Sequence, residues 1–271
     1  MSLSPFSSVS LVADGLSREA LEALSLETFG EKRVETDPVA ARTASALRHS
    51  TMSSLGSGSR RRIRVMGDRI SEARMMAAVQ ELPAFCFEAG LAPGQLAAFC
   101  RLAARRGTFI GLCLSTSTAY RVEPAAAIAA ALTETGFFNE SLIWRIEVAL
   151  AEAMANALLH GNLEANKDLR ASGDAYADYV DHLDHRLHDD SFASRSVCLF
   201  ARMSAGWLTL EVLDEGHGFE KTRRVAAEPH DDEDAFGLPS GRGLLVTSAM
   251  ADRIRHRNGG RRLDLGFAVV A

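Results

Sequence analysis

The chain of 271 residues is 47% hydrophobic and 24% charged, with a formal net charge of −5 and a pI near 5.9. That balance suffices for one good core and a smaller companion, and it excludes the strong basic footprint that nucleic-acid or anionic-membrane binding leaves. Its four cysteines, Cys86, Cys100, Cys113 and Cys198, stand far apart, which excludes a thiolate metal motif or disulfide framework and reads as reduced core thiols. The start lacks a basic and then apolar leader, and no run of about 18 apolar residues occurs, so the chain is expected in the cytoplasm. Residues 1–62 hold an apolar patch at Leu11 and Val12, a helical stretch over 18–26, and RHSTMSSLGSGSRRR at 48–62, whose serine, glycine and charge content is that of a linker. Its triple arginine reads as the solvated end of that linker. Apolar residues at helical spacing over 69–89 and 93–105 predict two helices and no chemistry, so 63–106 forms a helical regulatory or docking segment.

The texture changes at FIGLCLS, a buried strand over 109–115, and the main boundary falls near Gly107. An alanine-rich helix over 122–135 carries Pro124 in its first turn and ends at Gly136. A longer helix over 141–160 presents the stripe Leu142, Ile146, Ala149, Ala153 and Ala157 and stops at Gly161. Residues 165–190 are charged and histidine-bearing, an exposed helical excursion. Alternating strands over 195–203 and 207–213, with Ser204, Ala205 and Gly206 between them, predict an antiparallel hairpin. Residues 220–240 have no usable periodicity and form a long loop of the functional kind. A helix over 242–252 and a strand pair turning at Arg257-Asn258-Gly259-Gly260 close the chain. The order implies an α+β class, a sandwich of helices on a sheet.

Three stretches carry chemistry. In EAMANALLHGN, Glu152 and Asn156 leave one helix face a turn apart, so an Asn oxygen can serve magnesium while the carboxylate accepts a proton from an attacking hydroxyl. In LEVLDEGHGF, Asp214 ends a strand where a carboxylate can accept from an exocyclic amine, and Gly216 and Gly218 let backbone approach a ligand. In GLPSGRGLLVTSAMAD, Gly241 and Gly243 open a helix whose free amides suit phosphate, with Arg242 as an added positive charge. Each alone is weak, and an ordinary helix face, a hairpin turn and an outward arginine account for them separately.

Their joint order resembles the Bergerat (GHKL) ATPase superfamily, which contains gyrase, histidine kinases and mismatch-repair ATPases. The form EAxxNAxxHGN with GRGL is similar to the anti-sigma factor serine/threonine kinases, over roughly residues 109–271. The resemblance implies a two-layer sandwich of a mixed, mainly antiparallel sheet and helices over 107–271, behind a mainly helical N-terminal extension. It implies ATP and Mg2+ as cofactors, Glu152 as catalytic base, Asn156 as magnesium ligand, Asp214 as the adenine-binding carboxylate, and Gly216, Gly218, Gly241, Arg242 and Gly243 at the nucleotide loops. It further implies transfer to a serine or threonine of a STAS-type anti-sigma factor antagonist, capture of a sigma factor, and a homodimer, with no nucleic acid or membrane partner.

Two departures stand out. Where such kinases carry a threonine after a glycine near the adenine, this chain reads GGRRLDLGF and offers Arg261 or Arg262; and DYVDHLDHRLHDD is a long insert in which His182, His185 and His188 lie three apart. A charged, solvated helix explains that histidine spacing better than a metal site. The competing readings are a histidine-kinase-like catalytic subunit and a nucleotide-responsive binding module with little turnover.

Overall fold

The computed structural model describes residues 9–35, 61–67, 69–165, 175–218 and 242–269. Among the described residues eight strands form one sheet: β1 (Val9–Asp14), β2 (Arg61–Met66), β3 (Ala84–Glu88), β4 (Thr108–Ser115), β5 (Ser196–Ser204), β6 (Trp207–Leu213), β7 (Arg253–Arg257) and β8 (Arg262–Ala268), in the order β1-β2-β3-β4-β5-β6-β8-β7. The first four run parallel, and every pair from β4 onward is antiparallel, giving the mixed α+β sheet that the sequence implied. β4 is buried along its whole length because it is paired on both sides and covered on both faces.

The helices are α1 (Arg18–Phe29), α2 (Glu72–Gln80), α3 (Pro93–Ala103), α4 (Thr116–Arg121), α5 (Pro124–Glu134), α6 (Glu140–Ala155), α7 (Ala175–His188), α8 (Asp190–Ala193) and α9 (Arg242–Met250). Helices α2, α5, α6 and α9 lie side by side on one face, where Ile146, Ala149 and Ala153 of α6 meet Leu199, Leu210 and Leu265 of the sheet in the larger core. On the other face α1 and α3 cover β1 to β5 with Leu21, Leu96 and Phe99 against Phe85, Phe87 and Phe200. The two-layer sandwich therefore describes β6, β8 and β7, and a further helical layer covers the rest. All four cysteines are buried thiols, and burial pushes Cys86 and Cys100 up to about 12.

The N-terminal extension, expected to be mainly helical, holds α1, α2 and α3, yet among its described residues it also supplies three strands to the common sheet. The helix expected over 69–89 is only Glu72–Gln80, because Pro83 blocks its continuation and Ala84–Glu88 is a strand. The triple arginine is also corrected: Arg61 is 5% exposed, lies 5.3 Å from the Phe85 ring centroid and belongs to β2, while Arg62 and Arg64 pair with Glu35 and Glu81. Arginines at alternate positions hid a strand whose Ile63 and Val65 face the core. Among the described residues no helix is long and apolar enough to cross a membrane.

The hairpin β5–β6 turns at Ala205 and Gly206, both with positive φ, as the right-handed twist of two-residue hairpins requires. The β7–β8 turn uses Asn258, Gly259 and Gly260 in the same way. The insert forms α7, whose Tyr179 and Leu183 pack on Leu163 in a small core of their own, so it is anchored as well as charged. His188 lies 3.5 Å from Asp184, and Arg186 lies 3.7 Å from Glu164. Among the described residues no three His, Cys, Asp or Glu side chains gather as a metal-ligand cluster.

Candidate functional site

Helix α6 starts cleanly, with Asn139 capping Leu142 N at 2.8 Å and Glu140 in the first turn. It does not continue as α-helix to His160. From Asn156 to Asn162 the backbone widens into a π turn, a feature that concentrates at functional sites and that the residue pattern does not announce. Asn156 is its first residue. Glu152 and Asn156 do share a face: the Asn156 amide donates to Glu152 Oε1 at 3.5 Å, which leaves the Asn oxygen without a partner among the described residues. Both side chains are half-buried, neither core nor open surface.

The π turn brings Gly161 against the end of β6. Asp214 follows β6 there, its N–H donating to Arg261 O at 3.1 Å. Gly216 N donates to Asp214 Oδ1 at 2.9 Å, and Asp214 Oδ2 has no partner among the described residues. Burial raises the Asp214 carboxyl above its usual 3.8, the Gly216 donor and the Arg261 charge opposing this. The glycines leave little room for a side chain, Gly216 and Gly218 facing backbone and Gly161 facing the Asp214 side chain. A Cβ on Gly161 would stand 2.7 Å from the Asp214 carboxyl carbon, and one on Gly216 would stand 2.3 Å from Gly161 O. Gly218 sits at φ +70 with Gly259 O where its Cβ would be.

Asn162, the last residue of the motif EAMANALLHGN, has no role in the reading of the sequence. It has no exposed surface and satisfies every polar atom of its side chain: Oδ1 accepts from Glu215 N at 2.7 Å, and Nδ2 donates to Thr116 Oγ1 at 2.9 Å and Ser196 O at 3.0 Å. Glu215 in turn accepts from Ser196 N and Gln95 Nε2, each at 2.8 Å. Arg195 clamps the same turn, donating to Asn162 O at 2.8 Å and Glu164 Oε1 at 2.6 Å. These three residues hold Asp214 beside the π turn. Asn162→Ala strands three partners, those at Thr116 and Ser196 buried, and is expected to lower unfolding stability by about 3 kcal/mol, read by urea denaturation; an unchanged midpoint would refute the linchpin role.

The third stretch is only partly placed. Gly241 and loop 220–240 lie outside the described residues, as does the Arg242 side chain; Gly243 is the second residue of α9, which packs along α6. Arg145 of α6 fixes that packing by donating to Met250 O at 2.9 Å and to Asp252 Oδ1 at 2.6 Å. Of the two arginines considered near the base site, Arg262 is turned to the opposite sheet face, where it meets Glu211 and Asp264.

A half-buried carboxylate with one oxygen free, a paired Glu and Asn, and glycines with no room for a side chain thus converge between α6 and the end of β6. Residues 115–267, more than half of the chain, match the family of the histidine kinase-like ATPase domain. The chain belongs to that family. Its ATPase domain is an ATP-binding module that runs from the end of β4 almost to the end of β8, so β1 to β3 and their helices lie outside the match. Among curated proteins, none matches the chain.

Proposed function

We propose that this ATPase domain is a protein serine/threonine kinase of the anti-sigma factor type, transferring phosphate from ATP to an anti-sigma factor antagonist and holding a sigma factor when that antagonist is lacking. The observation that carries the reading is the Asp214 arrangement: Oδ1 is committed to Gly216 N and Oδ2 is left to accept from an exocyclic amine, as adenine would offer. Bound ATP with Mg2+ would supply the transferable phosphoryl group and the charge neutralisation that its departure needs. Asn156 would hold the metal through its free Oδ1 while Glu152 fixes the amide's orientation. Glu152 would accept the proton of the acceptor hydroxyl, a role open to it because its other carboxylate oxygen has no partner among the described residues. Gly216 and Gly218, with Gly241, Arg242 and Gly243 before and within α9, would line the nucleotide.

The test is incubation of the purified chain with labelled ATP and candidate antagonist proteins. Acid-stable label on the antagonist supports the reading, whereas acid-labile label would assign a histidine-kinase-like activity instead. Asp214 gives a separate prediction. Its folded carboxyl binds a proton more tightly than the unfolded chain does, so its ionisation opposes folding as pH rises through the window above 3.8. Asp214→Asn keeps an oxygen for Gly216 N and removes that burden. It is therefore expected to raise the thermal midpoint at neutral pH while weakening ATP binding; a lowered midpoint would contradict the assigned cause. In the wild type, ADP binding should weaken as pH falls through the raised Asp214 value, and the Asn variant should lack that step.

A further inference from the structure

The far side of the ATPase domain's sheet has a chemistry of its own. α1 and α3 cover β1 to β5 on this face, and among the described residues no helix is laid over β6, β8 and β7 there, although Arg105 reaches Glu211 from the loop after α3. The sheet register sets out the rows. Arg202, Thr209, Gly266 and Arg253 lie across four strands, followed by Phe200, Glu211, Asp264 and Arg255. Gly266 leaves a floor in the first row, where an added Cβ would meet Arg253 Cβ at 3.2 Å and Trp207 Cε3 at 3.6 Å. A shallow cavity of about 240 Å³ opens there. Arg253 lies over Trp207, its guanidinium carbon 3.5 Å from the ring centroid, and is exposed.

Charge decides what such a face can meet. Glu211, 1% exposed, takes Arg105, Arg202 and Arg262; Asp264 takes Arg257 and shares Arg262. With Arg253 and Arg255 the face holds, among the described residues, six guanidiniums against two carboxylates, an excess of four positive charges on a chain whose net charge is −5. Arg255 has no partner among the described residues and is exposed. A second copy stacked on this face would set one such excess against another, which opposes self-association there. The geometry adds a direction. Among the described residues β7 pairs only with β8 and is the sheet's edge, and Arg253, Arg255 and Arg257 project at every second residue. An extended segment laid along that edge would present its own side chains at the same spacing.

We infer that β7 and the open face beside it bind an acidic, extended segment of a partner protein, which adds to the sheet edge and sets carboxylates opposite Arg253, Arg255 and Arg257. The chemistry is that of strand addition guided by charge: backbone hydrogen bonds hold the segment and the arginine row selects it. Arginines on a sheet edge also deter unguided pairing between copies, which suits a surface reserved for one partner sign.

The experiment uses the full chain and a fluorescein-labelled peptide of alternating glutamate and threonine, followed by anisotropy at low salt. The wild type is expected to bind it and to release it as salt rises, while Arg255→Gln weakens binding by roughly fivefold and Arg255→Glu by roughly tenfold. Thermal unfolding should be unchanged in the Gln variant because Arg255 has no partner to lose. A peptide with proline in place of threonine keeps the charge but loses the backbone donors, and should bind at least fivefold more weakly. Four results would overturn the inference: no binding, equal binding by the Arg255 variants, equal binding of the proline peptide, or tighter binding of a single-stranded oligonucleotide. A fifth would reassign the occupant: if neutralising Asp231, Asp232, Glu233 and Asp234 is required before the peptide binds, the face is filled by this chain's own acidic segment.

Discussion

Glu152→Ala is expected to leave Mg2+-dependent ATP binding within about twofold of the wild type and to lower phosphoryl transfer by about 100- to 10,000-fold, the range for removal of a general base. Asn156→Ala should do the reverse in kind: binding of ATP in the presence of Mg2+ falls by about 10- to 100-fold, and transfer falls with it. The two residues touch, the Asn156 amide donating to Glu152 Oε1 at 3.5 Å, so a double variant separates their roles. If each acts as proposed, Glu152→Ala added to Asn156→Ala costs no further binding. Equal transfer by wild type and Glu152→Ala would remove Glu152 from the chemistry while leaving the site's affinity to be explained by its neighbours.

A second large effect is expected from Gly216→Ala. The new Cβ would meet Gly161 O at 2.3 Å, its carbonyl carbon at 2.5 Å and its Cα at 2.7 Å, all backbone of the π turn. Nothing there can rotate away. The π turn and the end of β6 must separate, at a cost of about 3 kcal/mol, and the Gly216 N–H that orients Asp214 moves with them. Gly161→Ala provides the contrast, because its Cβ meets the Asp214 carboxyl group, a side chain that can swing aside. That variant is expected to keep most of the stability and to lose ATP binding at least tenfold, since the moved carboxylate is the one proposed to read the base. Thermal unfolding together with nucleotide titration distinguishes the pair. Wild-type stability in Gly216→Ala would mean that the two loops do not touch.

Much of the site was legible because its residue types are few and its spacings local. Glu152 and Asn156 four apart on an apolar-striped helix, and Asp214 at the close of an alternating strand, follow from periods of 3.6 and 2. Both hairpins were legible for the same reason, since Ala205-Gly206 and Asn258-Gly259 supply the positive φ that short turns need. What stayed hidden depends on contacts between distant segments. The π turn arises where Gly161 must lie against Gly216, and Asn162 becomes a linchpin only once Thr116, Ser196 and Glu215 surround it. Two of the three N-terminal strands were obscured in different ways. β2 alternates arginine with Ile63 and Val65, so its charge imitates a linker, and β3 is a five-residue apolar run whose period cannot tell strand from helix. That these strands join the sheet of the ATPase domain through β4 is a long-range fact, carried by pairings such as Phe85 with Gly111 and Cys113 with Cys198.

That shared sheet ties the site to the N-terminal half. Gln95 of α3 donates to Glu215, and Arg105 reaches Glu211 from the loop after α3, so the C-terminal part of β6 and the turn after it are gripped by residues outside the matched family segment. Gln95, Glu215 and Asn162 form a contiguous set of hydrogen bonds from α3 to the π turn, beside the loop that carries Asp214.

The most direct measurement is calorimetric titration of the folded full-length chain with ATP in the presence of Mg2+, alongside Asn156→Ala and Asp214→Asn. One site per chain is expected in the wild type, with weaker association in both variants. No heat of association from folded wild-type protein, at any temperature where its unfolding is negligible, would contradict the convergence of α6, the Asp214 loop and α9 on one nucleotide.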